Sequence, residues 1–291
     1  MSKTILVTGA NGQLGNALRA CAAERGDCVF HFTDADTLDL RDKSRLSAFT
    51  QSCRADYILN CAAYTAVDKA EDEAELCMSV NRDAVQNVGE VARAQGIKVI
   101  HISTDYVFDG KSTRPYAEDD AVNPQSVYGI SKLAGEKALL ATCPDAVIIR
   151  TAWLYSEYGN NFLKTMIRLG RTRRTVGVVS DQFGSPTYAG DLAEAMLILA
   201  HSPVLPPGIY HYSGGGICNW YDFAAKIMAL ACPDSRVLPL GTHEYPTRAV
   251  RPAYSVLNTN KIRQTFGIKI PDWETSLAKA VSRLQSSNIE F

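Results

Sequence analysis

A tyrosine and a lysine four residues apart are the pair in this chain best suited to moving a proton. The segment Tyr128-Gly-Ile-Ser-Lys132 has a helical pattern, so both side chains should project from one helix face. A free phenol has a pKa of about 10, and a nearby ammonium favours the phenolate. We therefore expect Lys132 to bring the pKa of Tyr128 toward neutrality, where a phenol transfers protons efficiently. The spacing alone also fits a half-exposed surface pair.

The amino-terminal segment has the pattern of a strand, a glycine turn and a helix. After the strand-like run 3–7, Gly9 permits a tight turn, Gly12 lets the backbone approach a pyrophosphate, and Gly15 lets the helix pack on the strand. The free amides at the helix start would bind phosphate charge. A purely structural turn could contain the same glycines. The predicted cofactor-binding residues of this turn are Gly9, Asn11, Gly12, Gln13, Leu14 and Gly15.

Composition excludes several classes of function. The chain has 291 residues, 46% of them hydrophobic, enough for one large domain or for a larger and a smaller one. Its 30 basic and 31 acidic residues give no reason to expect binding to nucleic acid or to a membrane surface. No apolar run approaches the ~18 residues of a membrane span, and the start has no signal-peptide character. We expect a cytoplasmic protein whose eight cysteines are reduced.

Strand-like and helical segments alternate through the first half of the chain. This alternation predicts an α/β fold with a doubly wound parallel sheet and right-handed crossovers. We expect a dinucleotide-binding (Rossmann) domain over residues 1–150, with residues near 172–200 returning to it, and a smaller substrate-binding lobe mainly over 151–291. The predicted strands after the first are Cys28–Phe32, Tyr57–Cys61, Lys98–Ser103 and Ala146–Arg150, and the predicted helices include Val80–Ala94 and Tyr128–Leu140.

Ligands of such sheets collect at the carboxyl ends of the strands. Asp34 follows the second strand, where an acidic group usually bonds the adenosine ribose and favours NAD over NADP. Thr33 would not repel a 2′-phosphate and Arg41 could bind one, so NADH and NADPH both stay open. Asp39 and Leu40 offer a carboxylate and an apolar surface to an adenine. The predicted cofactor-binding residues after the third strand are Ala62, Ala63, Tyr64 and Thr65.

The motifs together resemble the extended short-chain dehydrogenase/reductases. This resemblance rests on Thr8-Gly-x-x-Gly-x-x-Gly15, Asn60-x-Ala-Ala63, Ser103-Thr-Asp-Tyr-Val-Phe-Asp-Gly110 and Tyr128-Gly-x-Ser-Lys132-x-x-Gly-Glu136. Within them the chain resembles the dTDP-4-dehydrorhamnose reductases. The narrower resemblance rests on Ala66-Val-Asp-Lys-Ala-Glu71, Arg150-Thr-x-Trp153-x-Tyr155, Gly159-Asn-Asn-Phe162, Asp181-Gln-Phe-Gly-x-Pro-Thr187 and Leu257-Asn-Thr259. These motifs are spread over nearly the whole chain.

The resemblance implies NAD(P)H-dependent reduction of the C4 ketone of dTDP-4-dehydro-L-rhamnose to dTDP-L-rhamnose, in nucleotide-sugar and polysaccharide biosynthesis. It implies that Tyr128 protonates the forming alkoxide. Lys132 would keep the phenol acidic and bind the nicotinamide ribose, and Thr104 would bond the keto oxygen or the tyrosine. Ser103 is adjacent to Thr104 but should face the opposite side of the strand. Without Tyr128 downstream, Thr104 would instead be read as a hydroxyl that bonds its own backbone.

Substrate contacts follow from the same resemblance and from the chemistry of a dTDP-sugar. Asp105, Tyr106 and Trp153 match family positions that contact the sugar, along with Thr104. Arg248 and Arg251 could clamp the diphosphate, although an exposed surface location is an equally good interpretation of these arginines.

Metal binding, assembly and two other functions complete the expectations. None of the five histidines has a metal-ligand spacing, and hydride transfer needs no metal. Some family members bind magnesium near a homodimer contact, but here Gly190 stands beside Asp191 where an acidic ligand would be sought, so we assign no metal ligand. A related epimerase or dehydratase that retains NAD would have a similar sequence. A regulatory subunit that binds cofactor without turnover would also have this fold, although the intact Thr104, Tyr128 and Lys132 favour catalysis.

Overall fold

The computed structural model describes residues 2–23 and 25–286, and at its centre lies a parallel sheet. In chain order the strands are β1 Lys3–Thr8, β2 Cys28–Thr33, β3 Tyr57–Asn60, β4 Lys98–Thr104, β5 Val147–Thr151, β6 Leu154–Tyr155, β7 Thr175–Val179, β8 Phe183–Gly184, β9 Thr187–Tyr188, β10 Gly208–His211, β11 Cys218–Asn219 and β12 Arg236–Leu240. The α-helices are α1 Gln13–Ala23, α2 Lys43–Cys53, α3 Val67–Ala70, α4 Ala74–Met78, α5 Ala84–Gln95, α6 Val127–Thr142, α7 Phe162–Thr172, α8 Ala189–His201, α9 Trp220–Ala231, α10 Asn260–Phe266 and α11 Trp273–Ser286.

Strand order in the central sheet is β10-β5-β4-β3-β1-β2, and every neighbouring pair is parallel. The inner strands read as continuous apolar runs because helices cover both of their faces; all four residues of β3 and all five of β5 are buried. The predicted doubly wound α/β fold is therefore confirmed. The observed strands lie within one or two residues of the predicted ones.

Two helical layers cover this sheet. On one face, α1 and α8 pack together over Ile5, Val7 and Ile149. On the other face, α2, α5 and α6 cover Leu6, Ile58 and Ile148. Side chains of alternate β1 residues therefore pack into cores on opposite faces of the sheet, as the two-residue period of a strand requires.

The predicted helix Val80–Ala94 lies within a longer helical segment that runs from α4 through α5. A π-helical turn, Ser79–Asp83, precedes α5, and it directs the side chain of Asn81 inward. There Asn81 accepts the backbone N–H of Tyr64 at 2.9 Å and donates to the Ser131 hydroxyl at 2.9 Å. These bonds join the chain after β3 to α6, and a helical periodicity cannot reveal them.

A second core lies in the carboxyl-terminal half. Strands β7 and β12 pair in parallel, and α7, α9 and α11 pack nearby around Tyr155, Tyr188 and Phe223. The segment 172–200 was expected to return to the first domain, but its elements are divided between the two cores. Strand β7 belongs to the separate sheet with β12, whereas α8 packs on α1. Strand β10 joins β5 in the central sheet, and the division into two domains stays a prediction.

The crossover direction of the central sheet reverses at β1. This strand pairs with β2 on one side and with β3 on the other, which opens a crevice at their carboxyl ends. The glycine turn lies in this crevice, and a Cβ on Gly9 would approach the Ala62 nitrogen to 2.6 Å. No helix within residues 2–23 and 25–286 is long and apolar enough to cross a membrane.

Gly15 carries the first testable consequence of this packing. A Cβ at Gly15 would lie 2.4 Å from the Gly9 carbonyl oxygen and 2.5 Å from the Ala10 Cα, both backbone atoms with little room to move. We expect Gly15→Ala to lower the free energy of unfolding by about 1–3 kcal/mol, measured by urea denaturation. Gly26→Ala is the control, because a Cβ there meets no atom within 4 Å. Equal stability of the two variants would contradict the close packing of α1 on the turn.

Candidate active site

A cavity of about 860 Å³ opens at the carboxyl ends of the parallel strands. Its volume is in the range of cofactor and small-molecule sites. Most of the residues predicted from the sequence line it. They are Gly9, Asn11, Gly12, Gln13, Leu14, Gly15, Asp34, Asp39, Leu40, Ala62, Ala63, Thr65, Thr104, Asp105, Tyr106, Tyr128, Lys132 and Trp153.

The glycine turn forms one end of the cavity. Gly9 has a φ of +64°, and its carbonyl accepts the N–H of Gly12 at 3.1 Å, so the chain turns tightly into α1. The side chain of Asp34 accepts the backbone N–H of Asn11 at 2.8 Å. The residue after β2 therefore fixes the shape of the turn. The first residues of α1 line the cavity, where the free amides of a helix start can bind an anion.

Gln13 links the turn to the second half of the chain. Its side-chain oxygen accepts from the Ser156 hydroxyl and from the Asn161 amide, each at 3.0 Å. Asn161 also caps α7, since its side chain accepts the N–H of Lys164. Gln13 thus connects the glycine turn to the loop before α7.

Asp39 and Arg41 carry opposite charges and lie in the cavity wall beyond β2. Asp39 accepts from the Arg41 guanidinium through both carboxylate oxygens, at 2.6 Å for the closest contact, and this bond lowers the pKa of Asp39. Arg41 also lines the cavity, and its side chain is 46% exposed. Leu38 and Leu40 form the adjacent apolar wall.

Thr104 and Asp105 form a hydrogen-bonded pair at the end of β4. The Thr104 hydroxyl donates to Asp105 Oδ1 at 2.9 Å and accepts the backbone N–H of Tyr106 at 3.2 Å. The hydroxyl therefore makes the local backbone bond considered from the sequence and lines the cavity as well. Burial raises the pKa of Asp105 to about 6, although the Ser255 and Thr104 hydroxyls oppose this rise.

Tyr128 is buried at the start of α6, where its ring packs edge-on against Tyr106 with 5.5 Å between centroids. Burial raises the pKa of Tyr128 above its ordinary value, and the nearby Thr104 hydroxyl offsets only part of this rise. The expectation that Lys132 brings this pKa toward neutrality is therefore wrong. The reason is desolvation, which disfavours the phenolate and which the spacing of two residues cannot convey.

Lys132 is one helical turn after Tyr128 in α6, and its side chain is buried. Its Nζ donates to the Ile102 carbonyl at 2.7 Å and lies 3.5 Å from His101 Nε2. Burial lowers the pKa of Lys132 to about 8, and the Glu136 carboxylate opposes this shift. An amine in this state still carries a proton at neutral pH and can donate to a hydroxyl group in the cavity.

A row of buried, hydrogen-bonded side chains in the central sheet ends next to Lys132. Asn60 Oδ1 accepts from the Thr8 hydroxyl at 2.7 Å and from the Ala62 N–H at 3.2 Å, which fixes the orientation of the amide. The Asn60 amide nitrogen must then donate to His101 Nδ1, 3.0 Å away. Burial lowers the pKa of His101, so the ring is neutral and its remaining proton is on Nε2. This N–H and the Lys132 ammonium are both donors, so their 3.5 Å approach is not a hydrogen bond.

Trp153 forms part of the cavity wall. Its backbone has a φ of +49°, a conformation that costs a non-glycine residue of order 1–2 kcal/mol. The indole is held by stacking on Trp220 at 3.6 Å and lies over Gly184, where a Cβ would come within 2.5 Å of the ring. The surroundings thus fix the orientation of an aromatic surface toward the cavity. Trp220 packs behind it.

Three predicted residues lie outside the cavity wall. Arg248 is 64% exposed and pairs with Asp72 at 2.6 Å, so it joins two surface segments. Arg251 binds Asp68 and donates to the Tyr106 hydroxyl at 2.9 Å, one side chain behind the wall. Tyr64 donates its hydroxyl to Glu73. Neither arginine lines the cavity.

Sequence reasoning missed several lining residues. The main group is Gly159, Asn160 and Asn161, which were quoted as part of a motif but not assigned to the site. The bonds of Asn161 to Gln13 explain this group, and the motif itself was the signal that could have found it. Cys61 and Thr151 also line the cavity. Thr151 stands in the quoted motif Arg150-Thr-x-Trp153, whereas Cys61 occupies an unspecified motif position and looks like a core residue.

Comparisons with known proteins agree with this geometry. The sequence matches the family described as the RmlD substrate binding domain over residues 3–286. The chain belongs to this family. A dTDP-4-dehydrorhamnose reductase of Aggregatibacter actinomycetemcomitans is 42% identical over 283 residues, which cover 94% of this chain and 96% of the relative.

Solved structures of the family have the same fold. A dTDP-4-dehydrorhamnose reductase of Bacillus anthracis, in complex with NADP, superposes with a TM-score of 0.92 at 39% identity, covering 97% of this chain and 100% of that one. A UDP-glucose 4-epimerase of Thermus thermophilus in complex with NAD has a TM-score of 0.82, at 20% identity and with 98% and 99% of the two chains covered. At that identity the likeness shows the fold alone.

The buried Asp105 generates a prediction about stability. Its folded-state pKa of about 6 lies above the ordinary value of 3.8, so the folded protein holds the proton more tightly than the unfolded chain. Its contribution to stability is therefore present at low pH and is lost as the pH rises through about 6. We expect Asp105→Asn to raise the free energy of unfolding by about 1–3 kcal/mol at pH 7.5, and by much less at pH 4.5.

Urea denaturation at the two pH values measures this difference. Asp109→Asn is the control, because the Tyr116 hydroxyl bonds Asp109 at 2.6 Å and lowers the pKa of that carboxyl. Removal of its charge should lower stability at pH 7.5. An Asp105→Asn protein no more stable than wild type at pH 7.5 would contradict the burial argument.

Proposed function

We propose that this chain uses NADPH or NADH to reduce the C4 ketone of dTDP-4-dehydro-L-rhamnose to dTDP-L-rhamnose, a nucleotide sugar for polysaccharide biosynthesis. The observation that carries the proposal is the gathering of Thr104, Tyr128 and Lys132 in one cavity with the glycine turn. Membership of the RmlD substrate binding domain family and the relatives named dTDP-4-dehydrorhamnose reductase support the choice of substrate.

The residues present fit a nicotinamide dinucleotide. Gly9 and Gly15 leave no room for a side chain between the turn and its neighbours, and the amides of α1 face the cavity as a pyrophosphate site requires. A reduced nicotinamide bound there would supply the hydride. Lys132 would bind the ribose hydroxyls, because it lines the cavity. The bond from its Nζ to the Ile102 carbonyl holds the ammonium group in place.

Proton transfer follows from the state of each side chain. Tyr128 keeps its proton at neutral pH because burial raises its pKa, so it is available as the donor to the oxygen at C4. Thr104 accepts the Tyr106 N–H and donates to Asp105, which holds the hydroxyl at the mouth of β4. When the ketone binds, the Thr104 hydroxyl would turn its one proton from Asp105 to the keto oxygen, orient that oxygen toward Tyr128 and stabilise charge as it develops.

Cofactor preference rests on the two charges beyond β2. Asp34 accepts the Asn11 N–H through Oδ2 and the Ala35 N–H through Oδ1, and either oxygen can accept a further bond from a ribose hydroxyl, as NADH would require. Arg41 is exposed enough to leave Asp39 and bind a 2′-phosphate, as NADPH would require. We therefore expect both cofactors to be used.

Substrate contacts divide into direct and indirect ones. Asp105, Tyr106 and Trp153 line the cavity and would contact the sugar. Arg251 acts through the Tyr106 hydroxyl and so positions that ring. Arg248 would have to leave Asp72 to bind a diphosphate, a change that its exposure permits.

Location, metal and assembly remain predictions. We expect a cytoplasmic protein, and the eight cysteines are free thiols in the structure. We expect no magnesium at Asp191, because its carboxylate already accepts the Ser276 hydroxyl and lies 3.6 Å from Lys279 Nζ. A homodimer is expected from the family resemblance, and sedimentation velocity measures it.

The function is tested with a panel of 4-keto sugar nucleotides that differ in base and stereochemistry. We expect oxidation of NADPH and NADH to be fastest with dTDP-4-dehydro-L-rhamnose, followed by the fall in reduced-nicotinamide absorbance. Faster turnover of a GDP-linked sugar would overturn the substrate but not the chemistry. Cofactor binding without any turnover would favour a regulatory subunit, and tightly retained NAD would favour an epimerase or dehydratase.

Tyr128→Phe tests the proton donor. The ring and its contact with Tyr106 are kept, so cofactor affinity should be unchanged while kcat falls by ~10² or more, the scale of general acid catalysis. Tyr210→Phe is the matched control, since this buried tyrosine lies away from the cavity and donates to the Pro206 carbonyl at 2.9 Å. Its kcat should stay near that of wild type. A kcat for Tyr128→Phe equal to the control's would remove Tyr128 from the mechanism.

A further inference from the structure

Three potential metal ligands meet at the edge of the central sheet opposite the cavity. Asp27 and Cys28 lie at the start of β2, and His201 is the last residue of α8. His201 Nε2 lies 3.2 Å from Cys28 Sγ and 3.0 Å from Asp27 Oδ2. The three ligand atoms are all within 4.8 Å of one another. The proposed reductase chemistry uses none of them, because parallel strands place their amino ends away from the cavity.

The orientation of the His201 ring is fixed from its other side. Its Nδ1 lies 2.7 Å from the Leu197 carbonyl oxygen, which can only accept, so Nδ1 carries the ring proton of a neutral imidazole. The lone pair of Nε2 then faces Asp27 Oδ2, which is also an acceptor. Two such atoms 3.0 Å apart repel each other unless they share a cation, either a second ring proton or a metal ion.

We propose that Asp27, Cys28 and His201 bind one Zn²⁺ ion. Imidazole, thiolate and carboxylate are the ligands that zinc takes in proteins, at about 2.0–2.3 Å each. In a tetrahedral site with such bonds, neighbouring ligand atoms are about 3.3–3.6 Å apart, close to the spacing found around Nε2. The bond from Nδ1 to a backbone carbonyl is the usual second support of a zinc-bound histidine.

The surroundings leave room for the ion and for a fourth ligand. The Asp27 side chain is 59% exposed and that of His201 is 26% exposed, so a water molecule can complete the tetrahedron. On binding, the Cys28 thiol loses its proton to solvent and the sulfur forms a bond to zinc, so no oxidant or reductant is needed.

Zinc at this position would join β2 to the end of α8. Strand β2 is at the edge of the sheet, next to β1, whereas α8 is packed in the core on α1. A ligand that binds the folded state alone stabilises it in proportion to the logarithm of its concentration over Kd. The ion would therefore raise the melting temperature without changing reduction in the cavity.

The test uses the full-length protein after treatment with a chelator. We expect one equivalent of Zn²⁺ to bind in a competition assay with a chromophoric chelator and to raise the melting temperature. Co²⁺ in place of zinc should show a thiolate-to-metal charge-transfer band. Cys28→Ser should remove that band, and Asp27→Asn should weaken zinc binding by at least ~10-fold.

Cys53→Ser is the matched control. Cys53 is similarly part-buried, but its thiol faces the Thr50 carbonyl. This variant should bind zinc as wild type does and keep the band. If Cys28→Ser loses stability on its own, His201→Gln gives a second test, with circular dichroism to check folding. Zinc binding unchanged in both Cys28→Ser and His201→Gln, or no binding by wild type, overturns the proposal and leaves a proton as the shared cation.

Discussion

The buried ion pair between Glu136 and Arg150 fixes helix α6 on the central sheet. Both side chains are only 2% exposed, and two bonds of 2.7 and 2.9 Å join the carboxylate to the guanidinium. Loss of either partner would leave an uncompensated buried charge, at a cost of about 3–5 kcal/mol. Arg150 also lies over the Phe108 ring, 5.1 Å from its centroid. One interaction thus holds together α6, β5 and the loop after β4, the elements that bring Tyr128, Lys132 and Thr104 to the cavity.

Two glycines let α6 lie close enough for that purpose. A Cβ on Gly129 would come within 2.3 Å of the Tyr106 carbonyl oxygen, and one on Gly135 within 2.0 Å of the Asn81 carbonyl oxygen. The helix therefore packs against backbone on both sides. This closeness buries Tyr128 and Lys132 together and sets both of their pKa values, so the chemistry of the pair follows from the packing of the helix.

The sequence allowed most of the fold and much of the cavity to be predicted, because both depend on local patterns. Apolar runs located the strands, and glycine spacing located the turn at the reversal of the sheet. Long-range partners were not predictable. Arg248 binds Asp72 and Arg251 binds Asp68, each about 180 residues away in the chain. No sequence motif indicates such pairs. Likewise Cys28 and His201 are 173 residues apart, so histidine spacing contained no sign of their contact.

The direction of the Tyr128 pKa shift changes how the pair is understood. A proton donor in a reduction must hold its proton until hydride transfer creates an alkoxide, and an alkoxide is a far stronger base than a phenolate. Burial, which raises the pKa of Tyr128, keeps the donor loaded at neutral pH. In the proposed mechanism, Lys132, whose pKa is lowered by burial to about 8, and the Thr104 hydroxyl would stabilise the negative charge only as it forms. Desolvation makes Tyr128 a weaker acid but keeps it protonated at neutral pH, and proton transfer stays favourable because the alkoxide is the stronger base.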